Sequence, residues 1–248
     1  MKIALITGAS RGIGAATAVL AAKAGYDVCV NYLSNHDRAD QVVAACQALG
    51  VRAIAVAGDV GVESDVETLF KTCDAQLGPV SFLVNNAGII GQASRVETLP
   101  STVLHQTFSV NVFGAFYCAQ AAVKRMSTAN GGSGGTIVNV SSIAATNGSA
   151  GEYVHYAASK AALDGFTIWL AREVGREGIR VNSVQAGTAD TEVHTLGGGN
   201  PERPAMVART SALGRVARAE EIAEAIIWLG SEKSSYATGA ALRVGGGL

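Results

Sequence analysis

Charged residues are scarce in this chain. Asp, Glu, Lys and Arg together make up 16% of the 248 residues, and the formal net charge at pH 7 is -1. No run of basic residues occurs, so electrostatic capture of nucleic acid or of an anionic membrane is not expected. Hydrophobic residues reach 48%, and this excess over charge indicates that partner subunits cover part of the surface.

Cysteine is also rare, and its four residues lie far apart in the sequence: Cys29, Cys46, Cys73 and Cys118. Without a C-x-x-C pair, neither a zinc site nor a thioredoxin-like redox centre is predicted. Free thiols of this kind are typical of a reducing compartment. The N-terminus lacks a signal-peptide pattern, and no apolar run is long enough to cross a bilayer. We therefore expect a cytoplasmic protein that binds no metal.

Short apolar segments alternate with longer segments of helical period along the whole chain. The strand candidates are apolar throughout, as in parallel strands covered on both faces; they are Lys2–Thr7, Asp27–Tyr32, Ala53–Ala57, Phe82–Asn85, Thr136–Val140, Arg180–Val184 and Ala241–Val244. The helix candidates are Gly14–Ala24, His36–Leu49, Glu63–Leu77, Val103–Met126, Tyr156–Arg176 and Ala219–Gly230. This alternation predicts a single α/β domain over residues 1–248, a doubly wound parallel sheet of seven strands with helices on both faces.

Two glycine-rich stretches interrupt the alternation. Asn130–Gly135 is expected to be a surface loop, because strands are needed on both sides of it. The stretch 186–215 holds Gly197–Gly199 and the prolines Pro201 and Pro204. A loop of this length inside a compact domain is usually functional. We expect it to be a mobile substrate loop that closes over the active site.

A glycine-rich turn, Thr7-Gly8-Ala9-Ser10-Arg11-Gly12-Ile13-Gly14, follows the first strand and opens the first helix. Phosphate binding needs bare backbone and gains from the positive end of a helix dipole. Gly8 permits the tight turn, Gly12 the close approach of a phosphate and Gly14 the packing of helix on strand. The turn predicts a dinucleotide site in a Rossmann-type fold.

The spacing G-x-x-x-G-x-G resembles that of the short-chain dehydrogenase/reductase family. Further motifs similar to the family's follow in its order: Asp59-Val60, Asn85-Asn86-Ala87-Gly88, Asn111 within F-S-V-N-V-F-G, Ser141-Ser142, Tyr156-Ala157-Ala158-Ser159-Lys160 and Thr238-Gly239. The chain departs from the family at Ala186-Gly187, where Pro-Gly is usual, and at Gly245-Gly246, where Asp-Gly is usual. The resemblance implies an NAD(P)-dependent oxidoreductase that interconverts a carbonyl and an alcohol, and we expect reduction in the cell. Within the family the chain resembles 3-oxoacyl-carrier-protein reductases and glucose or sugar dehydrogenases, which the sequence does not separate.

Tyr156 and Lys160 are four residues apart on a predicted helix and so share one face. A nearby ammonium favours the phenolate and brings a tyrosine towards a useful pKa. The resemblance implies that Tyr156 exchanges a proton with the substrate oxygen and that Ser142 donates a hydrogen bond to it. It also implies that Lys160 holds the ribose and lowers the Tyr156 pKa, while Asn111 positions a water molecule.

Neighbouring residues compete for these roles. Ser141 occupies the position that is usual for the family's catalytic serine, but we assign the role to Ser142. Tyr153 competes with Tyr156, yet only Tyr156 has a lysine four residues later. His155 is given no catalytic role. A non-catalytic NADP-binding regulatory or scaffold protein of the same fold remains the alternative, and the intact catalytic set argues against it.

The second strand ends Val30-Asn31-Tyr32, without the carboxylate that NAD enzymes of this fold use on the ribose. Arg11 lies where it could face a 2′-phosphate, so we expect NADP(H) to be favoured over NAD(H). The resemblance implies the cofactor-binding residues Gly8, Ser10, Arg11, Gly12, Ile13, Gly14, Asn31, Asp59, Val60, Asn86, Ala87, Gly88, Tyr156, Lys160, Gly187 and Thr191. Apolar residues on several faces of 103–126 and 156–176, together with the resemblance, imply a homotetramer.

Overall fold

A computed structural model describes residues 2–192 and 202–248. Seven strands form one parallel sheet in the order β3-β2-β1-β4-β5-β6-β7. They are β1 Ile3–Ile6, β2 Asp27–Tyr32, β3 Ala53–Ala57, β4 Phe82–Asn85, β5 Gly135–Ser142, β6 Ile179–Ala186 and β7 Ala241–Val244. The predicted doubly wound sheet is confirmed. β5 and β6 each extend two residues beyond the prediction at the carboxyl end, because Ser141 pairs with Gln185 and Ser142 with Ala186.

Helices cover both faces of this sheet. Their bounds are α1 Gly12–Lys23, α2 His36–Gln47, α3 Glu63–Gln76, α4 Ser101–Phe108, α5 Gly114–Met126, α6 Ala144–Asn147, α7 Val154–Val174, α8 Arg203–Thr210 and α9 Ala219–Gly230. One buried cluster joins α1, α2 and α9 to the sheet through Ala4 and Ile6 of β1. The other joins α3, α5 and α7 to the opposite face through Ile3 and Leu5. The alternation of side chains along β1 therefore serves two cores, which explains why the strand is apolar throughout.

The predicted helix Val103–Met126 is divided in the structure. A π-helical turn, Ser109–Phe113, separates α4 from α5. Helical periodicity continues through such a turn, so the sequence pattern does not reveal it. π turns are frequent at functional sites, and this one carries Asn111.

The sequence predicted a loop over the whole stretch 186–215, but part of it is helical. Its second part forms α8, which begins at Arg203 with Pro204 in the first helical turn, where a missing N–H costs nothing. A backbone bridge between Ala189 and Ala217 ties the start of the stretch to the segment that follows it. Gly197–Gly199 and Pro201 lie outside the described residues.

The sheet order places β1 beside β4, and the chain runs outward in opposite directions from this pair. In open parallel sheets ligands bind beyond the carboxyl ends of the strands at such a switch point. The glycine turn follows β1 there, and Asn86-Ala87-Gly88 follows β4. Among the described residues, no helix is both long and apolar enough to cross a membrane.

Candidate active site

A cavity of about 630 Å³ opens at the carboxyl edge of the sheet. Its volume falls within the usual range for small-molecule sites, roughly 300 to 1,000 Å³. Every predicted site residue except Asn111 lines it, and these residues come from the ends of six strands and from α7: Gly8, Ser10, Arg11, Gly12, Ile13, Gly14, Asn31, Asp59, Val60, Asn86, Ala87, Gly88, Ser142, Tyr156, Lys160, Gly187 and Thr191. No group of three or more metal-ligating side chains occurs within residues 2–192 and 202–248.

The glycine turn needs its glycines for two different reasons. Gly8 has φ of 61°, a left-handed conformation that other residues rarely adopt, and a Cβ there would lie 2.9 Å from Ala87 Cα. Gly14 is helical, but a Cβ on it would fall 2.5 Å from Asn86 Nδ2. The turn therefore presents bare backbone at the start of α1, and this cradle fits the phosphates of a dinucleotide.

Hydrogen bonds fasten the turn after β1 to the turn after β4. Thr7 Oγ1 accepts from the backbone N–H groups of Asn86 and Ala87, both at 3.0 Å. Asn86 Nδ2 donates in return to the carbonyls of Thr7 at 2.8 Å and Gly8 at 3.1 Å. The two sides of the switch point are thus held in one fixed geometry.

The Asn31 side chain holds this glycine turn in place through hydrogen bonds. Its Oδ1 accepts from the Gly8 N–H at 3.2 Å, and its Nδ2 donates to the carbonyls of Val56 and Gly58 at 3.3 and 3.0 Å. The side chain is buried, with its polar atoms engaged by the protein itself. Asn31 therefore borders the predicted cofactor pocket as a support of the glycine turn.

Two arginines meet at the outer end of the cavity, beside the glycine turn. Arg11 Nη1 lies 3.1 Å from Glu192 Oε2, and Arg38 Nη1 lies 2.6 Å from Glu192 Oε1. The hydrogen bond from Arg38, with Arg11 adding to it, lowers the pKa of the Glu192 carboxyl. Sequence reasoning missed Arg38, although its place in the first turn of α2, just after β2, was a usable signal.

Tyr156 is on the first turn of α7. Burial raises the pKa of its phenol, and a hydrogen-bonding interaction with Ser142 and the charge of Arg203 oppose this only in part. The structure thus differs from the expectation of a lowered pKa. The loss of solvent around the hydroxyl outweighs the nearby positive charges.

Lys160 lies one turn further along α7, with Nζ 5.8 Å from the centre of the Tyr156 ring. Nζ donates to the Val140 carbonyl at 2.7 Å. Burial lowers the pKa of Lys160 to about 8, against the opposing effect of the Asp164 carboxylate. The ammonium is therefore held at the end of β5, next to the phenol.

The two serines at the end of β5 point to opposite sides of the strand. Ser141 Oγ is buried and donates to the Lys160 carbonyl at 3.2 Å. Ser142 Oγ accepts from the Ala144 N–H at 3.1 Å, and its hydroxyl interacts with Tyr156. The geometry therefore favours Ser142 over Ser141 as the partner of the tyrosine.

Tyr153 and His155 have structural contacts. Tyr153 is only 2% exposed, and the Arg203 guanidinium carbon lies 5.1 Å from the centre of its ring. His155 Nε2 is 3.0 Å from the Ile90 carbonyl, and burial lowers the pKa of its imidazole. His155 thus holds the loop that follows Gly88.

Asn111 lies behind the cavity wall, within the π turn. Its Nδ2 donates to the Ile89 carbonyl at 2.9 Å and to Ser159 Oγ at 3.0 Å, while its Oδ1 accepts from the Ile89 N–H at 2.8 Å. Ser159 Oγ in turn donates to the Tyr156 carbonyl at 2.7 Å. Asn111 therefore connects the loop after β4 to the helix that carries Tyr156 and Lys160. Sequence reasoning assigned no role to Ser159.

Known proteins resemble this chain over its full length. The family model described as Enoyl-(Acyl carrier protein) reductase matches residues 8–248. "Uncharacterized oxidoreductase YgfF" of Escherichia coli strain K12 is 47% identical over 247 residues, covering 100% of both chains. "L-rhamnose 1-dehydrogenase (NAD(P)(+))" of Sphingomonas sp. strain SKA58 is 40% identical and covers 100% of this chain and 96% of its own.

Solved structures agree with these relatives. A short-chain dehydrogenase from Burkholderia cenocepacia J2315, in complex with NADP, superimposes with a TM-score of 0.90 at 35% identity, over 99% of this chain and 97% of that one. No comparison supports the non-catalytic alternative. The chain belongs to the short-chain dehydrogenase/reductase family, and it is an NAD(P)-dependent oxidoreductase that interconverts a carbonyl and an alcohol.

Proposed function

We propose that the chain reduces a small carbonyl compound with NADPH, using Tyr156, Ser142 and Lys160 as its catalytic residues. The interaction of Ser142 with Tyr156, inside the cavity that begins at the glycine turn, supports this most directly. A bound nicotinamide would supply the hydride for the carbonyl carbon. The protein's own residues would supply the proton, the orientation and the electrostatic stabilisation.

Tyr156 acts as the proton donor. Its raised pKa keeps the phenol protonated near neutral pH, so a proton is available for the substrate oxygen as negative charge develops there. Because Ser142 Oγ already accepts from Ala144, its hydroxyl hydrogen, which interacts with Tyr156, can turn to donate to the substrate oxygen. Two donors then converge on one oxygen, the arrangement that stabilises an alkoxide.

Lys160 and Asn111 position other parts of the site. Lys160 holds the ribose hydroxyls through Nζ, which the Val140 carbonyl keeps at the cavity wall. Asn111 fixes α7 against the loop after β4, since its amide bonds both Ile89 and Ser159. The family resemblance implies that Asn111 also positions a water molecule, and the same side-chain amide would bind it.

The NADP preference rests on Arg11 and Arg38. Two guanidinium groups beside the glycine turn suit a 2′-phosphate, to which arginine binds with charge-assisted hydrogen bonds. β2 ends Val30-Asn31-Tyr32, without the carboxylate that would favour NAD. Comparing kcat/KM for NADPH and NADH tests the preference, and a higher value for NADH would refute it.

We further propose a single catalytic domain that assembles as a homotetramer in the cytoplasm. The π turn, α5 and α7 leave aromatic side chains in solvent: Phe113 is 50% exposed, Phe116 40% and Trp169 66%. Phe116 stacks on Phe166 at 3.8 Å, so the two helices form one continuous apolar surface. The four buried free cysteines suit a reducing compartment. Light scattering tests the assembly.

The stretch 186–215 supplies the substrate side of the cavity. Thr188, Ala189 and Arg203 contribute to the lining, and the Gly187 N–H is fixed by the Val244 carbonyl at 2.8 Å. NADPH oxidation measured with a panel of ketones tests the proposed activity directly. Wild-type activity that the Ser142→Ala variant retains in full would contradict the role given to that serine.

A further inference from the structure

The substrate end of the cavity, around Ser142 and Tyr156, has an unusual composition. Its lining includes two isoleucines, two tyrosines, a serine and an arginine, with Thr188 and Ala189 beside them: Ile90, Ile143, Tyr153, Tyr156, Ser142 and Arg203. Lys160 of α7, the other cation beside Tyr156, donates to the Val140 carbonyl of β5. Within the described part of the chain, Arg203 is thus the charged group that this apolar end presents to a substrate.

The position of Arg203 is defined by two contacts. Its guanidinium carbon lies 5.1 Å from the centre of the buried Tyr153 ring, and its Nη1 pairs with Glu152. The Arg203 side chain is 27% exposed and that of Glu152 is 44% exposed, and Arg203 rather than Glu152 lines the cavity. A substrate therefore meets the cation before it meets the carboxylate.

The positive charge of Arg203 acts on the Tyr156 phenol, whose pKa it lowers against the larger effect of burial. Among the described residues, its side-chain hydrogen bond is that from Nη1 to Glu152. The other edge of the guanidinium, with Nε and Nη2, keeps its donors for a ligand. A planar pair of N–H groups matches a carboxylate in bidentate geometry.

The surroundings disfavour a polyhydroxylated substrate. Each buried hydroxyl of a sugar needs a hydrogen-bonding partner, and an unpaired one costs binding free energy. Ser142 and Tyr156 are engaged by the reacting oxygen, while Ile90 and Ile143 offer only apolar surface. The described lining suits a molecule with an apolar skeleton and one anionic group.

We infer that Arg203 binds a carboxylate of the substrate, so that the protein reduces oxo acids to hydroxy acids. The ketone of the substrate lies at Tyr156 and Ser142, the carbon skeleton against Ile90 and Ile143, and the carboxylate at the guanidinium. This inference rests on the proposed reductase activity and adds to it the class of substrate.

The test compares an oxo acid with its methyl ester, which keeps the ketone and the skeleton but loses the charge. In the wild type we expect a higher kcat/KM for the acid, with the difference mainly in KM. Arg203→Met should lower the acid-to-ester ratio of kcat/KM about tenfold or more, because hydrogen bonds between charged groups are the strong ones. Arg203→Lys, which keeps the charge without the planar fork, should lower the ratio by less.

Two matched variants separate binding from helix stability. Arg209→Met removes the same charge from an exposed position of α8 and should leave the ratio unchanged. Glu152→Gln frees Arg203 from its partner and should keep or raise the ratio. If Arg203→Met lowers kcat/KM equally for acid and ester, the arginine only supports the helix and the inference is wrong.

The outcome also distinguishes this inference from the proposed function. A wild-type enzyme that reduces the ester as well as or better than the acid overturns the substrate class and leaves the reductase activity standing. An enzyme that reduces no ketone with NADPH overturns both.

Discussion

The ion pairs that join Glu192 to Arg11 and Arg38 give a quantitative prediction for cofactor choice. The carboxylate occupies both guanidinium groups, at 3.1 and 2.6 Å, as an internal substitute for a 2′-phosphate. If these arginines bind the 2′-phosphate as proposed, NADPH must compete with the carboxylate, whereas NADH has no 2′-phosphate to offer. Replacing Glu192 with Gln should therefore tighten NADPH binding and leave NADH binding nearly unchanged.

The size of the effect follows from the exposure of the pairs. The three side chains are 35 to 45% exposed, and a pair of this kind changes an equilibrium by about 1.5- to 5-fold. With two such pairs released, the factors multiply, so we expect the Kd of NADPH to fall roughly 2- to 25-fold, with a smaller gain at high salt because exposed charges are screened.

Fluorescence titration of the wild type and Glu192→Gln with each cofactor measures this. Glu224→Gln, an exposed position on α9 with the same change of charge, controls for net charge. In an Arg38→Met background the gain from Glu192→Gln should shrink, because one of the two released partners is gone. Equal tightening of NADPH and NADH, or weaker NADPH binding, would refute the assignment of these arginines to the 2′-phosphate.

Three further predictions concern catalysis and assembly. Tyr156→Phe should lower turnover about 10²- to 10⁴-fold with little change in the Kd of NADPH, whereas Tyr153→Phe should keep most of the turnover; the reverse result would exchange their roles. The pKa of Lys160 is about 8, and the charged form is the one present at lower pH. The KM for cofactor should therefore rise as pH increases through that value, and Lys160→Met should abolish this dependence. An unchanged pH profile in the variant would mean that another group titrates. Trp169→Glu puts a charge on the exposed apolar surface of α5 and α7 and should reduce the mass measured by light scattering, and a tetramer that persists would locate the interface on another surface.

The sequence allowed the sheet to be predicted because parallel strands buried on both faces leave continuous apolar runs. Ile3–Ile6 shows the reason directly, since alternate residues enter different cores. The glycine turn was predictable because its function requires glycine at fixed spacing. In both cases the physical requirement, burial or bare backbone, applies to residues that are close together in the sequence.

The features that were missed depend on contacts between distant segments. Asn31 could be assigned to the cofactor pocket from its position, but its bonds to Gly8, Val56 and Gly58 become evident only when three strand ends meet. Arg38 gains its significance from Glu192, 154 residues away. Helix α8 is short and polar, so its helical periodicity is a weak signal. The glycines and prolines that precede it are a stronger signal, and they indicate a loop.

The π turn at Ser109–Phe113 explains how one buried amide can reach both halves of the site. An additional residue in the turn changes the direction of the side chains that follow it, which lets Asn111 bond Ile89 on one side and Ser159 on the other. Ser159 continues the connection to the backbone of Tyr156. The loop after β4, which borders the glycine turn, and the helix that carries Tyr156 are therefore linked by a single side chain. A regular helix over the same residues would direct this amide elsewhere, and the loop after β4 and α7 would lose the contact that they share through Asn111.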